Sequence, residues 1–365
     1  MLIQKIFIIS GEASGDLHGS NLVKELLQLQ PNLQVQGWGG ALMQQQGVTI
    51  LKDYKELAFM GFAEVIKNIG TILKNFKLCK QQITAFKPDV VLFIDYPGFN
   101  LRMAKWAKLQ GYATHYYISP QIWAWKEKRV HTIKKYVDKM MVILPFEKEF
   151  YNKYNYNVSY VGHPLTNVIK QYNTNQILQT PAPIIALLPG SRKQEIVKKL
   201  PIMLAVTKQF ANYTFIVAKA PNIANEFYDT MLKGFGNVNT ITNNTYLLLS
   251  NATAALVTSG TATLETALFK VPQVVCYKGS AVSYYIAKRL IKIKYISLVN
   301  LIMNKEVVQE LIQDNFTETN LTNALTQILS GTKVQQIRVD YTNLISLLSK
   351  GNNASYNAAK LVLGV

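Results

Sequence analysis

A chain of 365 residues that is 49% hydrophobic has material for two folded cores, which excludes intrinsic disorder. Its 39 Lys and Arg against 21 Asp and Glu leave a formal net charge of +18, although charged residues make up only 16% of the chain. The excess is a shortage of acids, and it points to an anionic partner: a nucleotide, a nucleic acid or the anionic face of a membrane.

Short apolar runs alternate with longer amphipathic segments. Strands are expected at 6–9, 35–38, 90–94, 114–118, 139–144 and 158–161. Helical patterns lie between them at 19–30, 63–86, 101–110 and 126–136. Near-continuous apolar strands separated by helices imply a parallel sheet covered on both faces, a doubly wound α/β domain. The polar stretch 170–183 ends in two prolines and reads as a linker. The rhythm then restarts, with strands at 184–188, 213–217, 238–242, 254–257 and 273–276 and helices at 193–210, 222–233 and 262–269. The expected architecture is two Rossmann-like α/β domains facing a cleft, spanning 1–169 and 184–344. No apolar run approaches the ~20 residues that span a bilayer. The apolar start of the chain leads into a strand-to-helix turn and reads as a first core strand, not a signal peptide. Cys79 and Cys276 are too few for a disulfide framework or zinc site and fit free thiols in a reducing cytosol.

Chemistry-bearing residues fall at the ends of these strands, where ligands bind in open α/β sheets. The turn at 10–19 (SGEASGDLHG) gathers three glycines with Glu12, Asp16 and His18, and opens a helix whose free N–H groups favour an anion. It matches neither the dinucleotide fingerprint nor a P-loop. Asp95 follows the strand at 90–94, and its alternative role is to cap the next helix. Trp123 and Trp125 follow 114–118, suited to a sugar ring, an acyl chain or plain core packing. His163 stands just before the linker. In the second half, Ser191 and Arg192 follow a strand and tight turn, a phosphate-type arrangement. The loop from Ser259 through Thr261 opens another helix, with Glu265 one turn in, where it can accept from ribose hydroxyls; a capping box uses similar residues.

Taken together, these motifs resemble the bacterial lipid-A-disaccharide synthase family. The match is carried by 10–19 (SGEASGDLHG), 95–100 (DYPGFN), 118–125 (ISPQIWAW), 144–150 (LPFEKEF), 161–164 (VGHP), 188–195 (LPGSRKQE), 259–265 (SGTATLE) and 297–313, with SLVN and ELIQ. Val299 departs from the pattern, where a proline is expected before Asn300. The resemblance implies an inverting GT-B glycosyltransferase with neither metal nor cofactor. It joins UDP-2,3-diacylglucosamine to 2,3-diacylglucosamine 1-phosphate (lipid X), giving UDP and the β-1,6-linked disaccharide 1-phosphate. It also implies a C-terminal helix, about 345–365, returning to the first domain. Asp95 becomes the expected general base, with Glu12 second. Arg192 and Ser191 should hold the UDP phosphates and Glu265 the ribose. Ser259, Thr261, Asn300 and Gln313 should complete the donor pocket, while Gly11, Ser14 and His18 line the acceptor side.

Both substrates carry acyl chains, so a cytoplasmic, peripheral position on the anionic inner face of the inner membrane is expected. An apolar stripe with Phe59, Met60, Phe62, Ile69 and Phe76 is the expected docking and acyl entrance, and 284–294 is a second basic patch. An ordinary core helix is the alternative for that stripe. UDP-sugar 2-epimerases have the same fold type but water-soluble substrates, and the motif set argues against them. Nucleic-acid binding is disfavoured, because the basic residues lie mostly on helices opposite apolar faces.

Overall fold

The computed structural model describes residues 3–57, 69–280, 284, 289 and 293–365. Phe59, Met60 and Phe62, with most of the second basic patch, lie outside these residues. The chain divides into two compact units: residues 1–164 with 348–365, and residues 165–347.

Among the described residues, the first unit is built on seven parallel strands: β1 (Lys5–Ser10), β2 (Gln34–Gly39), β3 (Thr49–Asp53), β4 (Val90–Ile94), β5 (Ala113–Tyr117), β6 (Lys139–Val142) and β7 (Ser159–Tyr160). Their order is β3-β2-β1-β4-β5-β6-β7. Alternate residues point to opposite faces, and both faces are buried. Phe7, Ile9, Val91 and Phe93 enter one core, while Ile6, Ile8, Val90 and Leu92 enter the other. The helix Ala354–Leu363 puts Ala358, Ala359 and Val362 into this second core, so it returns to the first unit.

Among the described residues, the second unit has six parallel strands: β8 (Ile184–Leu188), β9 (Thr214–Lys219), β10 (Val238–Thr242), β11 (Ala252–Thr258), β12 (Gln273–Tyr277) and β13 (Glu310–Ile312). Their order is β10-β9-β8-β11-β12-β13.

Both sheets reverse direction of growth once, between β1 and β4 and between β8 and β11. At such a switch point the two connections leave on opposite faces and open a crevice at the carboxyl ends of the strands. Register places Ser10 beside Ile94, and Leu188 beside Val257. The turns after these four strands are therefore neighbours in pairs.

Four elements differ from the sequence expectation. The helix after β1 runs Ala13–Leu29, so the true loop is Gly11 and Glu12 alone. β3 and β13 are unexpected edge strands, one half-exposed and the other three residues long. One face of the helix Ile69–Phe86 packs on the core. Phe76, expected at an acyl entrance, is half-buried against the core, its ring stacked 4.3 Å from Phe99. Cys79 and Ile83 continue that face inward, and Leu73 points out at 62% exposure. Among the described residues, no helix is long and apolar enough to cross a membrane.

Candidate active site

The switch point of the first sheet carries two carboxylates. After β4 the backbone turns through Asp95 and Tyr96, both left-handed with φ of 43° and 50°. Non-glycine residues adopt this region at a cost, so something must hold them there. Asn100 does so: its amide donates to the carbonyls of Asp95 (2.8 Å), Ile94 (3.2 Å) and Ile9 (3.3 Å), tying β1 to β4. Tyr116, fully buried, donates its hydroxyl to the Asp95 carbonyl at 2.5 Å. The elbow leaves the Asp95 carboxyl at the carboxyl edge of the sheet. Burial, and secondly the charge of Glu12, push its pKa up to about 6. A carboxylate so tuned is a better base than an ordinary one and is still ionised at neutral pH. Glu12 itself is exposed and makes no capping bond, although it stands at the cap position of the following helix.

The glycine at 11 serves packing and not a bare backbone approach to ligand. A Cβ there would lie 2.3 Å from the Tyr96 ring, which covers it. Ser14 is exposed on the first helical turn. Asp16 is buried and accepts from the N–H groups of Gly40 (2.8 Å), Leu42 (3.1 Å) and Met43 (3.1 Å), capping the short helix Ala41–Gln45. It is a structural residue. His18 lies on the helix, with Nδ1 buried and unpartnered; burial holds its pKa down to about 4. His163 is buried too and held at about 3, by burial and then by His18. Both are neutral imidazoles at pH 7.

The tryptophan pair separates. Trp123 packs edge-on against Phe146 and donates to the buried Glu147 at 3.3 Å. Trp125 is 52% exposed.

The second sheet opens a cavity of about 470 Å³ at its own switch point, within the usual size of a small-molecule site. Ser191, Arg192, Ser259, Thr261 and Glu265 all line it. Two helices start at its wall, Lys193–Thr207 and Thr261–Leu268, and helix N-termini favour an anion. Arg192 is 62% exposed and lies 3.2 Å from Glu195. Gly190, with φ of 124°, lets the Glu195 carboxylate come close; a Cβ would sit 2.6 Å from it. Glu265 accepts from the Tyr246 hydroxyl at 2.9 Å, which fixes its direction, and burial raises its pKa.

Lys199 has no signal in the sequence beyond a basic residue on a helix. It is only 3% exposed, and its ammonium bonds Thr258 Oγ1 and lies 3.9 Å from Glu195. Burial lowers its pKa, partly offset by Glu195. Thr258 and Glu195 both line the cavity, so a positive charge underlies its wall.

Two expected pocket residues are placed elsewhere. Asn300 is fully buried and does not line the cavity. Its Oδ1 accepts from Val307 (2.8 Å) and Val308 (3.0 Å), and its Nδ2 donates to Val308 (2.8 Å) and Glu310 (2.9 Å). Every polar capacity is spent on holding the turn before β13. Gln313 is buried and accepts from the Gly279 N–H at 2.9 Å. Val299 is fully buried, and Ser297 caps the helix Leu298–Met303 by accepting from Asn300 N. Among the described residues, no His, Cys, Asp and Glu side chains cluster as a metal site.

The family model for lipid-A-disaccharide synthetase matches residues 6–363. The lipid-A-disaccharide synthase of Coxiella burnetii (strain RSA 331 / Henzerling II) is 38% identical over 373 residues, covering 98% of each chain. Among solved structures, a glycotransferase of kitacinnamycin superposes with a TM-score of 0.72 at 13% identity, covering 99% of this chain and 98% of the other. A UDP-GlcNAc 2-epimerase from Neisseria meningitidis, bound to UDP-GlcNAc, gives 0.58 at 13% identity over 99% and 98%. Such distant likenesses show the shared two-domain GT-B architecture and leave the chemistry open. The family match decides between them: this chain belongs to the lipid-A-disaccharide synthetase family of glycosyltransferases.

Proposed function

We propose that this chain joins UDP-2,3-diacylglucosamine to lipid X, forming the β-1,6-linked disaccharide 1-phosphate and releasing UDP. The observation that carries the reading is Asp95, a half-buried carboxylate with a raised pKa at the switch point of the first sheet. Its role is to take the proton of the acceptor 6-hydroxyl as that oxygen attacks the donor C1. The C1–O bond to UDP breaks on the opposite face, with inversion. The leaving diphosphate gains negative charge without a metal, and Arg192, Ser191, Ser259, Thr261 and the two helix starts take it up. Glu265, held by Tyr246, accepts from the ribose hydroxyls. In this reading residues 1–164 with 348–365 form the acceptor side and 165–347 the donor side. Gly11, Ser14 and His18 support the acceptor side, Asn300 and Gln313 the frame of the donor side.

Purified protein mixed with the two acylated glucosamine substrates should release UDP in step with disaccharide formation. UDP release without a disaccharide product, or no release at all, sinks this reading.

The substrates also imply an anionic lipid surface, namely the cytoplasmic face of the inner membrane. The basic excess and the exposed Leu73 support it. The protein should sediment with anionic vesicles at low salt and come off at high salt. A chain that stays in solution with vesicles at low salt has no such docking.

A further inference from the structure

Beside Asp95 the first sheet carries a cluster with no assigned task. β5 lies next to β4, with Ile94 opposite Tyr117, so residues 118–129 leave the sheet at the same carboxyl edge as Asp95. At the end of that segment Trp125 presents its ring to solvent. The Lys126 ammonium lies 4.0 Å from the ring centre and the Arg129 guanidinium 6.0 Å. Two cations thus stand over one aromatic ring. Glu127, between them in sequence, gives its carboxylate to the Tyr154 hydroxyl. Among the described residues, no carboxylate lies within ion-pair distance of Lys126 or Arg129. Both are half-buried, and the Lys126 ammonium is destabilised first by burial and then by Arg129.

Like charges held together repel, and an anion relieves the repulsion. Among the described residues no carboxylate pairs with either cation, so an anionic ligand can meet both. The segment is also prearranged. Ser119 bonds the Tyr151 hydroxyl at 2.7 Å, and Trp123 bonds Glu147. The Arg129 N–H bonds the Lys126 carbonyl at 2.9 Å, closing a turn between the two residues. The neighbouring strand also carries Tyr116, whose hydroxyl bonds the Asp95 carbonyl.

We propose that Lys126 and Arg129, with Trp125 as their wall, bind the phosphomonoester of the acceptor sugar and so orient its 6-hydroxyl towards Asp95. This rests on the reading of the acceptor as a sugar 1-phosphate. The guanidinium forks onto two phosphate oxygens, the ammonium takes the third, and the indole covers the apolar face of the sugar. The site selects a phosphorylated acceptor over an unphosphorylated one.

The experiment compares wild type with the double variant Lys126→Ala, Arg129→Ala, using lipid X and the same diacylglucosamine lacking its phosphate. With lipid X the variant's KM should rise about tenfold or more, since two charge-assisted bonds are lost. With the unphosphorylated acceptor the two proteins should have the same KM, and UDP affinity should match throughout. Arg129→Lys, which keeps the charge, should recover part of the loss. A variant with wild-type KM for lipid X overturns the proposal. So does an equal loss with both acceptors, which marks a structural role. A variant that loses binding to anionic vesicles but keeps its KM for detergent-dispersed lipid X shows that the cations read a lipid surface instead. Should the double variant fail to fold, Lys126→Ala alone is read by the same comparison. A wild type that uses neither acceptor overturns the functional reading itself.

Discussion

Asp95→Asn should lower kcat by ~10²-fold or more while leaving UDP affinity at the wild-type level. The substitution keeps size and polarity but cannot accept the acceptor proton. The elbow should survive it, because Asn100 and Tyr116 bond the Asp95 backbone carbonyl and not its carboxyl. The pH profile gives a second reading. A base must be ionised, so kcat/KM should rise with pH and level off above about 6, the value to which burial and Glu12 push Asp95. Glu12→Gln removes the second of these causes and should move the acid limb down. Burial remains, so the limb should stay above that of an ordinary carboxyl. Stability runs the other way. The folded chain holds the Asp95 proton up to about pH 6, whereas the unfolded chain loses it near pH 4. Stability therefore falls as pH rises through that window, and Asp95→Asn should flatten the fall. Near-normal turnover in Asp95→Asn would transfer the role to Glu12.

Arg192→Ala should weaken UDP binding by about tenfold or more in calorimetry. The pair with Glu195 is solvent-exposed and of a kind worth only ~0.2–1 kcal/mol, so the guanidinium leaves it readily. A charge-assisted bond to phosphate is worth ~1.5–3 kcal/mol, which makes the exchange favourable. Equal UDP affinity in the variant would place the phosphate site elsewhere. Turnover should persist in EDTA; loss of activity that magnesium restores would contradict a metal-free departure of UDP.

The turns that carry Asp95, Arg192 and Ser259 were legible because each follows a short apolar run, and such runs are the strands. The order of those strands was not legible. Which turns face each other depends on β1 pairing with β4, and β8 with β11, across long stretches of chain. The edge strands escaped because Thr49–Asp53 mixes apolar with charged residues and Glu310–Ile312 is short. Asn300 shows a different limit. A buried amide that satisfies four backbone and side-chain groups has the same sequence signature as one that meets a ligand. Lys199 and Tyr246 act from behind the wall of the cavity, and nothing in their local sequence distinguishes them from surface residues.

The helix Ala354–Leu363 has a consequence for synthesis. The core built by Ile6, Ile8 and Leu92 is completed by Ala358, Ala359 and Val362. On the ribosome, residues 1–164 are made first yet must wait for a helix encoded nearly two hundred codons later, roughly 10–40 s at ordinary translation rates. Residues 165–347 are contiguous and need no such wait. The unit translated second should therefore be protease-resistant first on stalled nascent chains. During the delay the face of the first sheet that receives this helix is open, a natural station for a chaperone. Nascent chains stalled soon after residue 164 that already resist protease over residues 1–164 would show that the late helix is dispensable for this core.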